Sequence, residues 1–171
     1  KHFDEVRCQK TIQSLGKTLQ VPTLRLNAML AYPPFQRAGW DEAFSRLPDT
    51  VRESWGSLIE ASGDQPPPDL TFSNWSLFLT GMLNEAGVPI GAGTDTPIGL
   101  SVPGFSLHSE LEMLVQAGLT PMQVIESATL HPAEYFSLES SSGSIDVGKQ
   151  ADMLLLNANP LEDIRNTRDI S

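Results

Sequence analysis

The stretch VPIGAGTD at residues 88–95 decides the fold that this sequence predicts. It is almost wholly apolar, contains two glycines and follows a predicted helix, a combination typical of a buried parallel strand. Active groups in parallel α/β architectures lie at the carboxyl ends of strands. Asp95 occupies such an end, where Thr94 and Thr96 can orient its carboxylate, so it is a candidate catalytic residue. The alternative is an aspartate that only caps the turn, aided by Pro97.

Helices and strands alternate around this stretch. Apolar periodicity and capping signals predict helices over residues 6–15, 49–61, 73–86, 106–118 and 121–130. A β-rich run covers residues 18–24, and residues 152–157 carry four consecutive apolar side chains after a turn-rich stretch. The alternation favours an α/β fold with a parallel sheet, followed by separate β structure near the end of the sequence.

Charge and composition exclude several classes of function. The 21 acidic side chains outnumber the 11 basic ones, for a formal charge of −10, which repels nucleic acid and anionic membrane surfaces. Glu110 and Glu112 belong to short acidic clusters typical of solvated faces. The single cysteine, Cys8, cannot form an intrachain disulfide. No apolar run approaches the roughly 20 residues that span a bilayer, and a cytoplasmic location is favoured.

Several motifs, in order, resemble the amidohydrolase superfamily of metal-dependent hydrolases. They are VPIGAGTDTP (88–97), SLHSELE (106–112), AGLTP (117–121), ATLHPA (128–133), GSIDVGKQAD (143–152) and NPLEDI (159–164). The run VPTL at residues 21–24 is similar to a strand of the imidazolonepropionase-like and prolidase-like branch. Because the match covers nearly all of residues 88–168, it is far more specific than a lone Gly-Thr-Asp.

The resemblance implies a fold and a domain division. The expected fold is the C-terminal part of a TIM-type (β/α)8 barrel, from about strand 6 or 7 through helix 8, followed by part of a small β-sandwich. Residues 1–142 would form the partial barrel, with a helical insertion at 31–68 after one strand, and residues 143–171 the sandwich segment. Both ends of the chain are interpreted as possible cuts.

The resemblance also implies a metal site. Asp95 matches the aspartate that in this superfamily is both a metal ligand and the base for a metal-activated water, with one or two divalent ions, zinc foremost. His2 is a candidate ligand, because the branch places a strand-six histidine roughly this far upstream; the alternative is a frayed terminal residue. His108 could touch substrate or orient Asp95, although such a residue more often packs or caps. His131 is interpreted as structural.

The chain lacks other parts of the superfamily's pattern. It contains no His-x-His motif, so the expectation is that the parent protein is a hydrolase of amide, cyclic amide or dipeptide-like C–N bonds in a small-molecule substrate, and that this chain alone is inactive. The alternative is a non-catalytic half-barrel remnant that acts as a binding or scaffold module. Exposed strand edges would favour a homo-oligomer or association with a missing N-terminal half.

Overall fold

The computed structural model describes residues 4–63 and 68–171, and these residues are largely helical. Each helix predicted from periodicity begins within two residues of its expected start. In the described ranges no helix has the length and apolar character needed to cross a membrane. The helices are α1 (Glu5–Ser14), α2 (Leu24–Asn27), α3 (Trp40–Ser45), α4 (Asp49–Gly63), α5 (Thr71–Glu85), α6 (Phe105–Gln116), α7 (Pro121–Ala128) and α8 (Leu130–Tyr135), with 3-10 helices at Pro34–Gln36 and Ile164–Arg168.

Local signals set the ends of two of these helices. Thr120 caps α7 as predicted, because its hydroxyl accepts a hydrogen bond from the Gln123 amide while the Gln123 side chain accepts one from the Thr120 amide. Helix α5 ends before Gly87, whose φ of 71° lies in the left-handed region that glycine adopts without strain. The chain then turns directly into the apolar segment 88–94.

The predicted partial barrel is wrong, since residues 4–63 and 68–171 contain no strand or sheet. Segments 18–23 and 88–94 meet in one parallel bridge, Gln20 with Ile90. The Gln20 amide donates to the Pro89 carbonyl at 2.9 Å and the Gly91 amide to the Gln20 carbonyl at 2.8 Å. The ladder stops there because Pro22 and Pro89 lack amide donors. The following amide, that of Ala92, donates to the Ser127 carbonyl of α7.

The predicted β-sandwich segment is equally wrong. Within residues 143–171 the only bridge is antiparallel and joins Leu156 to Ile170. The apolar side chains of the expected strand are open to solvent, with Met153, Leu154 and Leu155 exposed by 58%, 69% and 74%. A sandwich needs a second layer over such a face, and no element of the described part of the chain covers it. The predicted association with a second copy or with further chain stays a prediction.

One apolar core lies between α5, α6 and α7. Helix α6 contributes Leu111, Met113 and Leu114, and the segment 88–94 contributes Val88 and Ile90. The remaining members are Ile12, Leu24, Leu83, Leu119, Val124 and Ile164. The core therefore includes residues from α1 and from the last 3-10 helix as well as from the middle of the chain.

The region predicted as a helical insertion contains the 3-10 helix Pro34–Gln36, α3 and α4. Its aromatic residues pack in series: Trp40 stacks on Phe44 with ring centroids 4.4 Å apart, and Phe44 lies 6.3 Å from Trp55. Trp40 is only 3% exposed. The assignment of residues 31–68 as an insertion, and the domain division after residue 142, stay predictions.

Candidate functional site

Asp95 begins a loop, residues 95–101, that we name the Asp95 loop. Asp95 is exposed, and its φ of 50° lies in the left-handed region, which aspartate tolerates better than most residues. The Ile98 amide donates a hydrogen bond to the Asp95 carbonyl at 3.0 Å. A tight turn therefore presents the carboxylate to solvent, an arrangement compatible with both the catalytic and the capping interpretation.

The hydroxyl groups around Asp95 bond to one another. Thr94 Oγ1 lies 2.8 Å from Thr96 Oγ1, which in turn lies 2.6 Å from Ser101 Oγ. Ser101 is fully buried, so this chain of hydroxyl groups runs from the exposed start of the loop into the protein. The two threonines thus hold the loop, whereas the sequence predicted that they orient the carboxylate directly.

Arg25 lies beneath the Asp95 loop. It is only 3% exposed, and its Nη2 donates to the carbonyl oxygens of Ile98 at 2.7 Å and Gly99 at 3.3 Å. Burial lowers the pKa of Arg25, while the charges of Glu110 and then Asp95 raise it. The guanidinium is therefore an internal cation next to the candidate carboxylate.

Glu110 on α6 completes this buried junction. Its Oε1 accepts a hydrogen bond from the Leu24 amide at 2.9 Å, and its Oε2 accepts one from the Arg25 amide at 2.6 Å. These amides open α2, where a helix has no partners of its own for its backbone donors. Burial raises the pKa of Glu110 to about 7, although the two amide hydrogen bonds and the charges of Arg25 and Arg37 act in the opposite direction.

Left-handed backbone concentrates around the junction. Thr23, directly before α2, has a φ of 48°, and Leu100 in the Asp95 loop has a φ of 59°. With Asp95 they make three of the four non-glycine residues with positive φ in the described chain. Such conformations cost on the order of 1–3 kcal/mol each and persist where the surroundings enforce them. The carboxylate of Glu110 supplies that enforcement for Thr23 by anchoring the next two amides.

His108 faces the end of the chain. Its Nδ1 lies 2.9 Å from Thr167 Oγ1, and because that hydroxyl donates to the Ile164 carbonyl, the Nδ1 proton is the donor. Burial, and then the charge of Arg168, lower the pKa of His108, which leaves Nε2 as an acceptor in the neutral ring. His108 as a substrate contact stays a prediction.

The predicted metal ligands do not meet within the described residues. His2 lies outside them, and across residues 4–63 and 68–171 no group of three or more His, Cys, Asp or Glu side chains could hold a metal ion. His131 is half-buried, and its Nδ1 lies 2.8 Å from the Ile90 carbonyl oxygen, as expected for a structural residue. The described residues therefore do not by themselves fit a metal centre.

A cavity of about 260 Å³ opens beside His131, at the start of the segment 88–94. It is lined by Val88, Pro89 and Glu126 among others, and no residue of the Asp95 loop lines it. The cavity lies at the start of this segment, whereas Asp95 follows its other end, so the cavity and the candidate carboxylate are separate features.

Sequence reasoning missed Arg25 and misplaced Glu110. Glu110 was predicted to lie on a solvated face, yet it is fully buried. A signal was available, since Glu110 lies three residues before Met113 and four before Leu114, two apolar residues of α6 that are fully buried. No comparable signal marks Arg25, because its burial depends on a loop more than 70 residues away in sequence.

The amidohydrolase family profile matches residues 78–169, more than half of the chain. Among curated proteins, the ochratoxinase of Aspergillus niger is 37% identical over 83 residues, which are 47% of this chain and 16% of that protein. The imidazolonepropionase of Streptococcus gordonii is 34% identical over 83 residues, or 46% of this chain and 25% of that protein. The chain thus spans well under two thirds of the length of the curated relatives it matches.

Solved structures share the path of the chain. A Xaa-Pro dipeptidase with methionine bound in its active site superimposes with a TM-score of 0.64 at 23% identity, over 98% of this chain and 35% of that one. A candidate prolidase from Bifidobacterium longum gives a TM-score of 0.59 at 29% identity, over 88% of this chain and 32% of that one. The profile match covers the Asp95 loop, α6 and the C-terminal 3-10 helix together, and the chain belongs to the amidohydrolase family.

Proposed function

We propose that this chain supplies the Asp95 carboxylate to a hydrolase that acts on carbon–nitrogen bonds of small amides, cyclic amides or dipeptide-like molecules. Membership of the amidohydrolase family and the likeness to an ochratoxinase, an imidazolonepropionase and a candidate prolidase support this reaction class. The observation that carries the proposal is Asp95 itself, exposed on a tight left-handed turn that a buried Arg25–Glu110 junction backs.

Asp95 acts as a general base in this proposal. Its carboxylate accepts a proton from the attacking water as the water oxygen bonds to the amide carbon. It then delivers that proton to the nitrogen as the C–N bond breaks, so the products are a carboxylic acid and an amine. A positioned base of this kind contributes about 10²- to 10⁴-fold to the rate. His108 is the proposed substrate contact, through the Nε2 acceptor that its bond to Thr167 leaves available.

The proposal includes a divalent metal, zinc foremost, for which the described residues supply only part of the ligands. Proteins of this family in general use divalent metals. Asp95 is the one proposed ligand among the described residues, and His2 lies outside them. The described residues do not form a metal centre by themselves, and Asp95 is the residue among them to which this proposal assigns a part in water activation.

The decisive variant is Asp95→Asn. Asparagine has nearly the same shape and tolerates a positive φ, so the variant removes the base without adding backbone strain. Asp152→Asn changes another exposed aspartate and serves as the matched control. Hydrolysis of N-acyl amino acids, cyclic amides and Xaa-Pro dipeptides is measured in the longest natural polypeptide that contains these residues, together with its metal content by elemental analysis.

We expect Asp95→Asn to lower kcat by about 10²-fold or more and to lower the bound metal, while Asp152→Asn changes neither. Loss of hydrolysis in both variants would point to a structural effect and contradict the role of Asp95. Absence of hydrolysis in the unchanged protein, across all three substrate classes, would overturn the proposed activity and favour the alternative of a non-catalytic binding or scaffold module.

A further inference from the structure

We infer that Arg25 is a positioning residue for Asp95: its buried guanidinium holds the Asp95 loop from beneath and so fixes where the Asp95 carboxylate stands. The contact between Arg25 and the loop is independent of any activity. Its catalytic consequence rests on the proposed function.

The contact is specific to the turn that carries Asp95. Arg25 Nη2 donates to two successive carbonyl oxygens, those of Ile98 and Gly99, and the Ile98 amide closes the turn onto Asp95. Arg25 Nη2 thus connects α2 to Ile98, the residue whose amide closes the turn. Without this donor, both carbonyl groups would lose a charge-assisted partner.

The loop lies so close to α2 that a side chain at residue 99 would displace its neighbours. A Cβ atom there would lie 2.6 Å from Leu26 Cδ1 and 3.0 Å from Arg25 Nη2. The φ of 62° at Gly99 also disfavours other residues. This close approach brings the loop carbonyl groups within reach of the guanidinium.

Burying Arg25 is expensive for the fold. Among residues 4–63 and 68–171, its Nε and Nη1 are buried without a hydrogen-bond partner. A buried charge that is incompletely paired costs free energy that an apolar residue of similar size would not. Glu110, the acidic group whose charge acts most strongly on Arg25, accepts hydrogen bonds from backbone amides with both of its oxygens. A side chain selected for stability alone would be apolar here, so the charge points to a role in holding the loop.

The local backbone does not depend on the guanidinium. Glu110 accepts hydrogen bonds from the backbone amides of Leu24 and Arg25, and any residue at position 25 except proline keeps its amide. Arg25→Met therefore removes the contact with the loop while the anchor of α2 stays in place. This separation makes the inference testable.

The experiment compares Arg25→Met with Arg37→Met. Arg37 is a partly buried arginine, with 11% of its side chain exposed, but it pairs with Glu112 rather than with the loop. Amide hydrogen exchange of Ile98 reports on the turn, and exchange of the Gly91 amide, which donates to Gln20, reports on the core. Arg25→Lys is the second variant; it keeps the charge but loses the planar fork.

We expect Arg25→Met to speed exchange of the Ile98 amide by about tenfold or more while Gly91 exchange and the melting temperature stay the same or improve. Arg37→Met should leave Ile98 exchange unchanged. In the hydrolysis assay, Arg25→Met and Arg25→Lys should lower kcat by about 10- to 100-fold, with KM within about twofold, because a displaced base loses orientation rather than binding.

Each outcome separates the inference from the proposed function. Unchanged Ile98 exchange in both Arg25 variants would overturn the inference, whatever the activity. Faster exchange with unchanged kcat would overturn the positioning role. Faster Ile98 exchange in the Arg25 variants, with no hydrolysis by the unchanged protein, would support the contact and contradict only the proposed function. Global loss of protection in Arg25→Met and Arg25→Lys together would show that Arg25 is merely structural.

Discussion

Glu110 and Glu112 lie two residues apart on α6, and their carboxylates bind different kinds of partner. The Glu110 carboxylate is fully buried and accepts from two backbone amides of α2. The Glu112 carboxylate lies 3.6 Å from Arg37 and also pairs with Arg168, with 18% of its side chain exposed. The first arrangement supports the candidate site, and the second ties the C-terminal 3-10 helix to α6.

The kind of partner determines how much stability the protein loses when a carboxylate is removed. Backbone amides are rigid and have no alternative acceptor, so their hydrogen bonds are expensive to leave unmade. Arginine side chains are long and can reach other groups. Arg168, for example, also donates to the Ala38 carbonyl and lies over the Phe105 ring. Substitution of Glu110 should therefore destabilise the protein much more than substitution of Glu112.

The largest expected effect comes from Glu110→Leu. It leaves the amides of Leu24 and Arg25 buried without acceptors, and each such group costs about 1–3 kcal/mol. We expect a net loss of about 2–4 kcal/mol in the free energy of unfolding, measured by urea denaturation. The matched variant Glu112→Leu should cost roughly 1 kcal/mol, since its arginines keep other partners and some solvent. Equal costs for the two variants would contradict the comparison.

The pH dependence of stability should single out Glu110 next. Its folded-state pKa of about 7 exceeds the ordinary value of 4.5, so the folded protein binds the extra proton between these values. The stabilisation is full below about pH 4.5 and is lost as the pH rises through 7. Ionisation of Glu110 alone should thus lower the free energy of unfolding by on the order of 1–3 kcal/mol as the pH rises from 5 to 8.

The measurement is thermal or urea unfolding at several pH values for the unchanged protein and for Glu110→Gln. His108 acts in the opposite sense, because its lowered pKa makes the folded state release a proton earlier as the pH rises. The difference between the two proteins isolates Glu110. A difference that does not change between pH 5 and 8 would show that the carboxylate keeps one charge state over this range.

The smallest expected effect concerns the hydrogen bond between His108 on α6 and Thr167 in the C-terminal 3-10 helix. His108→Leu removes the donor to Thr167 Oγ1, and Thr167→Val removes the acceptor. A double-mutant cycle should give a coupling of about 1 kcal/mol between the two residues, the usual worth of one hydrogen bond. Additive effects would mean that His108 contributes through packing rather than through its Nδ1 proton.

Sequence reasoning located the elements of this protein better than their arrangement. The starts of five helices and the capping box at Thr120 were predicted because they depend on periodicity and on residues three positions apart. The sheet and the sandwich were wrong because strands need continuous ladders. Whether Ala92 donates to a neighbouring strand or to Ser127 is decided by packing that no local pattern records.

The candidate site divides in the same way. Asp95, at the end of an apolar segment, is visible from sequence alone, and so is the family to which its motifs belong. The burial of Glu110 and the contact between Arg25 and the Asp95 loop are visible only in three dimensions, because they join residues 73 to 86 positions apart. The local sequence determines that the Asp95 carboxylate is exposed to solvent. Long-range packing decides which buried charges stand behind it, since only the assembled core removes them from water.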